Sequence, residues 1–541
     1  MRRTDAAGTT TRGTASIAAL VLLGTTLFVG PIALPTQAAI AADLSAAEAR
    51  GKLIYTTGES QSSRIITAAV SRSAAPASAS ILPCIQCHGA DGRGIGVISP
   101  DVNWGALTSP AGHEHLQRTH GPFDDRSLRV AIIDGVDPAG NELEATMPRY
   151  QMTDEDLADL IAYLKRIDSE LDPGLSPSHI RIGTVLPTAG PLGGEGQAMR
   201  AIIEAMFRDI NAAGGVHGRH LELIVGEYGS DSTPAFWNAQ DFVSREPLFA
   251  LVASYLPGYE TEFSNLVSEK QIPLVGPHTL FGTIGGSRYE FFLRAGLREQ
   301  AQALADVAIR QDAEPGLAVV YPHARGFDVL ADAVRARAEE HGVDKVATAP
   351  YVLGAFDAAR AVRLLKDAQV ESVVFLGSGQ DLVELARVAD DAGWHPEVFA
   401  TAALAERALL DLPPAFDGRV LLAYASLPAD RTRNGIEDFE SLHRDHALDY
   451  DNSIAQIAAY SAVRVLVEGL ERAGPNPDRE TLVGALESLQ GFEPGLTAPI
   501  SYGPERRIGS LGAHVVRVDL ASGRLDAEHE WIDLAAADRA R

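Results

Sequence analysis

"IRIGTVLPTAGPLGGEGQAMRAIIEAMFRDINAAGGVHGRHLELIVGEYGSD" occupies residues 180–231. It opens on a short apolar run rich in β-branched residues, IRIGTVLP. It passes through a helical segment, GQAMRAIIEAMFRDINAAGG, and returns to a second run, LELIVGEY. Strand, helix, strand in that order is the repeating unit of a parallel α/β sheet. The alternation continues outward with TPAFWNAQDFVSRE (233–246), LFALVASYL (248–256), ETEFSNLVSEK (260–270) and IPLVGP (272–277). It restarts after RAGLREQAQALADVAIRQ (294–311) with LAVVYP (317–322), SVVFLGS (372–378), EVFATAAL (397–404) and RVLLAYAS (419–426). Two successive α/β sheets predict two lobes. Ligands of such sheets bind at the carboxyl ends of the strands, so the expected binding region is the cleft between the lobes.

A dinucleotide site is the competing reading of the first turn. TAGPLGGEG (188–196) follows a strand and opens a helix, and Glu227 ends the next strand. The glycines do not fit G-x-G-x-x-G, and no Walker lysine is present. A glycine-rich strand-to-helix turn also serves folds that bind no nucleotide.

Upstream, DSELDPGLSPSH (168–179) has the Pro, Gly and Ser content of a linker, placed at residues 171–178. Ahead of it stands PCIQCHG (83–89), which contains both cysteines of the 541-residue chain. C-x-x-C-H is the attachment signature of c-type haem. Cys84 and Cys87 would add across the haem vinyl groups, and His88 would meet the iron as proximal ligand. The alternative is a redox-active C-x-x-C, but that motif opens a helix inside a βαβ unit, whereas Pro83 and Ser/Ala-rich sequence precede this one.

The N-terminus reads as an export signal spanning residues 1–41. Arg2, Arg3 and Arg12 precede the apolar stretch Ala15–Leu34, and "AIA" at 39–41 offers the small residues of a cleavage site. A membrane anchor is the alternative, but Gly24, Gly30, Pro31 and Pro35 make a poor membrane helix. No later stretch reads as a span. The expected location is the periplasm, without stable membrane insertion. A formal charge of −26 argues against nucleic acid and anionic membranes as partners.

A second axial ligand is expected downstream. Of five methionines, Met147 lies in ATMPRY, just before MTDEDLADLIAYLKRI (152–167). That stretch is a helix capped by Thr153, with Asp156 as capping-box partner, Asp154 and Glu155 at its positive end, and Leu157, Leu160, Ile161 and Leu164 as its apolar stripe. Residues 42–170 resemble a class I cytochrome c domain. ADLSAAEARGKLIY is similar to the family's N-terminal helix, CIQCHGADGRG to its haem-binding helix and following loop, and MPRY with LADLIAYLK to its distal methionine loop and C-terminal helix. The resemblance implies one covalent haem c held by Cys84 and Cys87, with His88 and Met147 on the iron and the Pro100 carbonyl orienting His88. Met152 reads as packing, and HEHLQRTH (His113, His115, His120) as a polar surface loop in place of a distal histidine or metal site. TTGESQSSRIITAAVSRSAAPASASILP, inserted after Tyr55, departs from the family and is expected to wrap the haem edge or carry a partner contact.

The stretch 180–231, with PISYGPERRIGSLGAHVVRVD (499–519), resembles a type I periplasmic solute-binding protein of the leucine/isoleucine/valine-binding family. The implied fold is multidomain: an all-α cytochrome c domain, then a two-lobed α/β domain over 179–541. Lobe one takes 179–297 and 428–490, and lobe two takes 298–427 and 491–541. By the resemblance, solute meets the loops after the strands, which hold Ser254, Tyr255, His278, Thr279, Tyr321, Arg325, Gln380, Thr401 and Tyr424. Amino-acid binders of the family carry a Ser/Thr-rich turn where this chain has ASYLPGYET (253–261), with tyrosines suited to a ring or a less polar solute.

The function expected is an exported monohaem electron-transfer protein fused to a small-solute-binding module, without a catalytic centre of its own. It would couple periplasmic oxidation of a substrate to electron transfer with a dehydrogenase or terminal oxidase chain. The alternative is an ABC-transporter receptor that meets a permease and uses the haem for sensing or docking. An oxidoreductase acting on the bound solute would need a second cofactor for a two-electron step.

Overall fold

The computed structural model describes residues 44–535 apart from 63, 71–74, 90–91, 95–98, 116–117, 168–169, 229–231, 282–286, 312–315 and 523. The expected signal segment lies outside the described residues. The first domain carries helices α1 (Ala46–Thr57), α2 (Ile85–His88), α3 (Trp104–Leu107), α4 (Asp125–Asp134) and α5 (Asp154–Leu164). Between them run the short strands β1 (Thr67–Ala69), β2 (Ala77–Ser78), β3 (His113–His115), β4 (Arg118–His120) and β5 (Arg149–Gln151). Ser45 and Glu48 form a reciprocal capping box at the start of α1. α1 and α5 pack at Gly51, where a Cβ would stand 1.9 Å from the Asp159 carbonyl oxygen, so the approach requires glycine. Arg50 locks the contact with two bonds to the Asp159 carboxylate, at 2.7 and 2.9 Å. At the start of α5, the Thr153 hydroxyl accepts from the Asp156 N–H. The expected return bond from the Asp156 carboxylate is replaced, because its oxygens take the hydroxyls of Ser60 and Thr153.

The second domain opens on β6 (His179–Leu186), α6 (Gly193–Ala212) and β7 (His220–Glu227), the unit read from residues 180–231. It continues with α7 (Ser232–Arg245), β8 (Ala250–Val252), α8 (Glu260–Lys270), β9 (Leu274–Val275) and β10 (Glu290–Arg294). α9 (Leu297–Gln311) carries the chain into lobe two, built on β11 (Leu317–Pro322), α10 (Phe327–Glu340), β12 (Ala347–Tyr351), α11 (Ala358–Asp367), β13 (Ser372–Phe375), α12 (Gly379–Asp391), β14 (Glu397–Thr401), α13 (Ala402–Ala405) and β15 (Val420–Tyr424). The chain returns to lobe one through α14 (Arg433–His446), α15 (Ser453–Ala473) and α16 (Arg479–Glu487), then adds β16 (Ile508–Ser510), β17 (Gly512–Asp519) and β18 (Arg524–Asp533).

The lobe-one sheet runs β16-β10-β9-β8-β6-β7, all parallel. The lobe-two sheet runs β12-β11-β13-β14-β15-β17-β18, its last two strands antiparallel. The lobe boundary expected at 490/491 falls instead at Leu511. β16 extends the lobe-one sheet because Leu496, Ile500 and Tyr502 bury in the lobe-one core. β12 was missed in the sequence; it is an edge strand interrupted by Pro350, which suits an edge. α15 is, by length and composition, apolar enough to cross a membrane, contrary to expectation; Ala459, Val463 and Leu466 sit in the lobe-one core.

The stretch read as a linker is laid down on lobe one. Leu175 joins the lobe-one core, and the Asp172 carboxylate accepts from the Arg479 N–H at 2.6 Å. The Arg479 guanidinium in turn donates to the carbonyls of Leu248, Phe249 and Lys270. Arg93 of the first domain pairs with Asp478 at 3.1 Å, and Asp478 also caps α16.

Candidate functional site

Cys84 to His88 form one helical turn, with the His88 N–H bonded to the Cys84 carbonyl at 2.9 Å. Both thiols are free, and both line a cavity of about 370 Å³ together with His88 and Met147. Burial pushes the Cys84 thiol up to about 12, only partly offset by the Tyr150 hydroxyl. A redox-active C-x-x-C is favoured by a depressed thiol pKa, the opposite direction from that of the buried Cys84. His88 is buried, and its Nδ1 lies 2.9 Å from the Pro100 carbonyl oxygen. A carbonyl only accepts, so Nδ1 carries the proton and Nε2 keeps its lone pair for a metal. Burial also lowers the His88 pKa, which favours the neutral ligand form. Two thiols on one turn, an oriented imidazole and a thioether around one apolar cavity are the donor set that haem c requires.

The thioether comes from a pinned loop. Arg149 donates to the carbonyls of Leu143 at 2.7 Å, Glu144 at 3.2 Å and Met147. Arg118 forks onto the Glu144 carboxylate at 3.0 and 2.6 Å and reaches Asp137 at 3.3 Å. Burial alone would raise the Asp137 pKa, but the Asn141 side chain and the N–H groups of Asn141 and Ala139 hold it below the usual range. The insertion after Tyr55 also braces this loop, since β1 pairs with β5 and sets Ala69 opposite Arg149. Met152 packs half-buried against the domain core, away from the cavity lining.

β3 and β4 form a hairpin that turns His120 inward. The surface reading of HEHLQRTH is therefore corrected for His120, which is buried, lines the cavity and has its Nδ1 2.8 Å from the Gly121 carbonyl. The side chains of His113 and His115 lie outside the described part of the structure.

The candidate solute residues separate into groups. The Ser254 side chain is buried, its Oγ accepting from the Val185 N–H at 3.2 Å, so it serves the sheet and not the cleft. Tyr255 and His278 stack at 5.1 Å with an interplanar angle of 12°, Tyr228 stands edge-on to Tyr255 at 5.3 Å, and Thr279 follows half-buried. Burial, with the Arg294 charge second, pushes the His278 pKa down to about 4. Arg325 does meet a carboxylate, but it is Glu262 of α8, at 2.6 Å, a bond that joins the two lobes. On lobe two, Tyr321 and Thr401 are buried at strand ends, Tyr424 is half-buried and Gln380 is exposed in the first turn of α12. Sequence reasoning missed Tyr228, Arg149 and Arg294.

The family described as Periplasmic binding protein matches residues 179–524, and Cytochrome c matches residues 79–168. Leu/Ile/Val-binding protein homolog 3 of Brucella melitensis is 24% identical over 318 residues, covering 58% of this chain and 85% of its own length. The leucine-, isoleucine-, valine-, threonine-, and alanine-binding protein of Pseudomonas aeruginosa is 24% identical over 329 residues, 58% of this chain and 83% of its own. A solved branched-chain amino acid ABC transporter protein from Thermus thermophilus with bound valine shares the fold, with a TM-score of 0.52 at 18% identity over 67% of this chain and 99% of that one. The chain belongs to the periplasmic binding protein family, and ahead of that region residues 79–168 match cytochrome c.

Proposed function

We propose that the chain is an exported periplasmic receptor for a small solute, carrying one covalent haem c and exchanging single electrons with a redox partner. The observation that carries this reading is the convergence of Cys84, Cys87, His88 and Met147 on one cavity. Haem c, when bound, supplies reversible one-electron transfer, and a His/Met pair suits a raised potential. His88 and Met147 would both hold the iron, the pairing of an electron carrier. The apolar lining shields the site from water. Residues 1–41 act as the export signal and are removed.

Coupling between the modules has a physical route. Arg93 meets Asp478, which caps α16, and Asp172 ties the connecting stretch to the same helix. A dehydrogenase or terminal oxidase chain is the redox partner in this reading. The names of the relatives favour a second one, in which an ABC permease receives the solute and the haem senses or docks.

A pyridine haemochrome assay on the purified full chain tests the first part, with one haem per chain expected and a colourless protein ending the case. Potentiometric titration with and without bound solute tests coupling. A shift in midpoint supports it, and an unchanged midpoint leaves the receptor reading with an accessory haem.

A further inference from the structure

The first domain and lobe one keep separate cores, with Ile54, Tyr163 and Leu164 in one and Ile182, Val463 and Leu486 in the other. A stretch of Pro, Gly and Ser between two cores ordinarily lets them swing independently. Here both ends of that stretch are gripped. On the first-domain side, the Glu170 carboxylate accepts from the Tyr163 hydroxyl at 2.9 Å and pairs with Lys52. Tyr163 is itself buried at the contact of α1 with α5, its ring 5.5 Å from that of Tyr55. On the other side, the Asp172 carboxylate accepts from the Arg479 N–H. Leu171, the single residue between these two anchors, packs against the lobe-one core. Anchors two positions apart stand within ~7 Å along the chain, too short a span for either domain to drift from the other.

Beyond Asp172 the stretch lies close against lobe one. Gly174 has a φ of +85°, and a Cβ there would stand 2.3 Å from the Phe249 nitrogen, so the approach requires glycine. Its carbonyl accepts from the Arg181 N–H at 2.7 Å, Leu175 bridges to Ile180, and the Ser176 carbonyl accepts from Arg219 at 2.9 Å. A single tether would still let the first domain turn about it. A second element opposes that turn. Arg93, from the loop after the thiol turn, pairs with Asp478, the neighbour of the residue that Asp172 holds. The loop is itself packed on the end of the first domain's last helix, since a Cβ at Gly92 would stand 3.1 Å from the Ile167 side chain. Asp478 is fixed by its capping box with Thr481, and α16 is buried through Leu482, Val483 and Leu486. Arg93 is half-exposed, and a pair of this kind adds little when its partners meet from free solution. Held at short reach by the anchors, it forms at high effective concentration.

We propose that the first domain is a fixed extension of lobe one: residues 170–176 are a strut and not a linker, and the Arg93–Asp478 pair is the second contact that holds the orientation. The partner that this face of the first domain fits is the start of α16 in its own chain. One consequence rests on the reading of the chain as a receptor that carries a haem. Lobe two is then the part left to move when solute arrives, while a redox partner meets one unchanging platform of first domain and lobe one. A fixed orientation does not require joint unfolding, because the two cores stay separate and the junction is carried by hydrogen bonds and ion pairs.

Pulsed electron paramagnetic resonance on the haem-loaded full chain tests the strut. Thioether formation uses up Cys84 and Cys87, the two cysteines of the chain, so Glu440→Cys on exposed α14 of lobe one takes a single nitroxide label. One narrow iron-to-nitroxide distance distribution is expected. Arg93→Ser combined with Asp172→Ala should widen it about twofold or more while the haem spectrum stays as it was. Thermolysin, which cuts ahead of leucine, gives a readout that needs neither haem nor solute. The bonds ahead of Leu171 and Leu175 should survive about tenfold longer in the unsubstituted chain than in the double variant, because cleavage waits for local opening. A broad distribution in the unsubstituted chain, a width that the double variant leaves unchanged, or prompt cleavage ahead of Leu171 in the unsubstituted chain would each overturn the proposal and leave the haem and receptor readings standing. Colourless protein whose Leu171 bond still resists would overturn the haem reading and leave the strut standing.

Discussion

The Nδ1 of His88 lies 2.9 Å from the carbonyl oxygen of Pro100. That contact fixes the tautomer, and with it the nitrogen available to iron. The Ser99 hydroxyl bonds the Cys87 carbonyl, so neighbouring residues of one strap hold both the thiol turn and the imidazole. The imidazole is thus oriented before any cofactor arrives, and what remains to be decided is which thioether would join it.

Met147 lines the cavity and Met152 does not. Met147→Ala is expected to abolish the sulfur-to-iron charge-transfer band of the ferric protein and to lower the reduction potential. Met152→Ala should keep the band and cost only packing, about 1–3 kcal/mol for a half-buried thioether. Visible spectra and potentiometry of the two variants check this. Loss of the band in Met152→Ala instead would reassign the distal ligand, as would its survival in Met147→Ala.

Arg149 holds three carbonyls of the loop that presents Met147. Arg149→Gln cannot span them, so the loop should loosen and the domain lose about 2–3 kcal/mol, the scale of a hydrogen-bonded charge. The readout specific to the loop is thioether ligation, weaker in Arg149→Gln and partly kept in Arg149→Lys. An unchanged charge-transfer band at normal stability would show that the clamp does not position the methionine.

Gly51 permits the contact of α1 with α5. In Gly51→Ala the added methyl group would overlap the Asp159 carbonyl, so the helices must separate. Overpacking of this kind costs about 1–3 kcal/mol. Thermal unfolding followed at the haem band should fall accordingly, while the midpoint of the solute-binding lobes stays put. Equal falls in both would mean that the domains unfold as one unit.

These elements differ in how plainly they could be read from the chain. The unit at 180–231 was legible because strand and helix periods are local, and Cys84–His88 because the chemistry sits in five consecutive residues. Asp156 was assigned the right helix end but the wrong bond, since Ser60, which competes for its carboxylate, comes from a distant insertion. Ser254 looked like a ligand residue because a hydroxyl in a loop cannot announce that it will serve the Val185 N–H. Arg325 looked like a ligand residue too, because only the three-dimensional arrangement gives it Glu262 of the other lobe. The lobe boundary slipped because sheet membership of Ile508–Ser510 depends on a pairing with β10 across a long stretch of chain.

His278 makes stability depend on pH in a defined window. Burial first, and the Arg294 charge second, push its pKa down to about 4, from an ordinary value near ~6.5. Between these values the unfolded chain binds a proton at His278 and the folded chain does not. Stability therefore rises with pH across the window and is lost as pH falls from about 6.5 towards 4. Above the window the imidazole is neutral in both states and contributes nothing. Asp137 acts further down: its folded pKa is depressed, so its contribution is present above the ordinary carboxylate range and is lost as pH falls through the folded value. Chemical unfolding of the ligand-free chain at pH 7, 6, 5 and 4 should show a declining free energy. His278→Phe keeps a ring against Tyr255 and removes the titration, so its curve should flatten between about pH 6.5 and 4. Asp137→Asn should keep the slope in that window and change only the more acidic tail. A His278→Phe curve parallel to that of the unsubstituted protein would mean that the imidazole is protonated in the folded chain despite the guanidinium beside it.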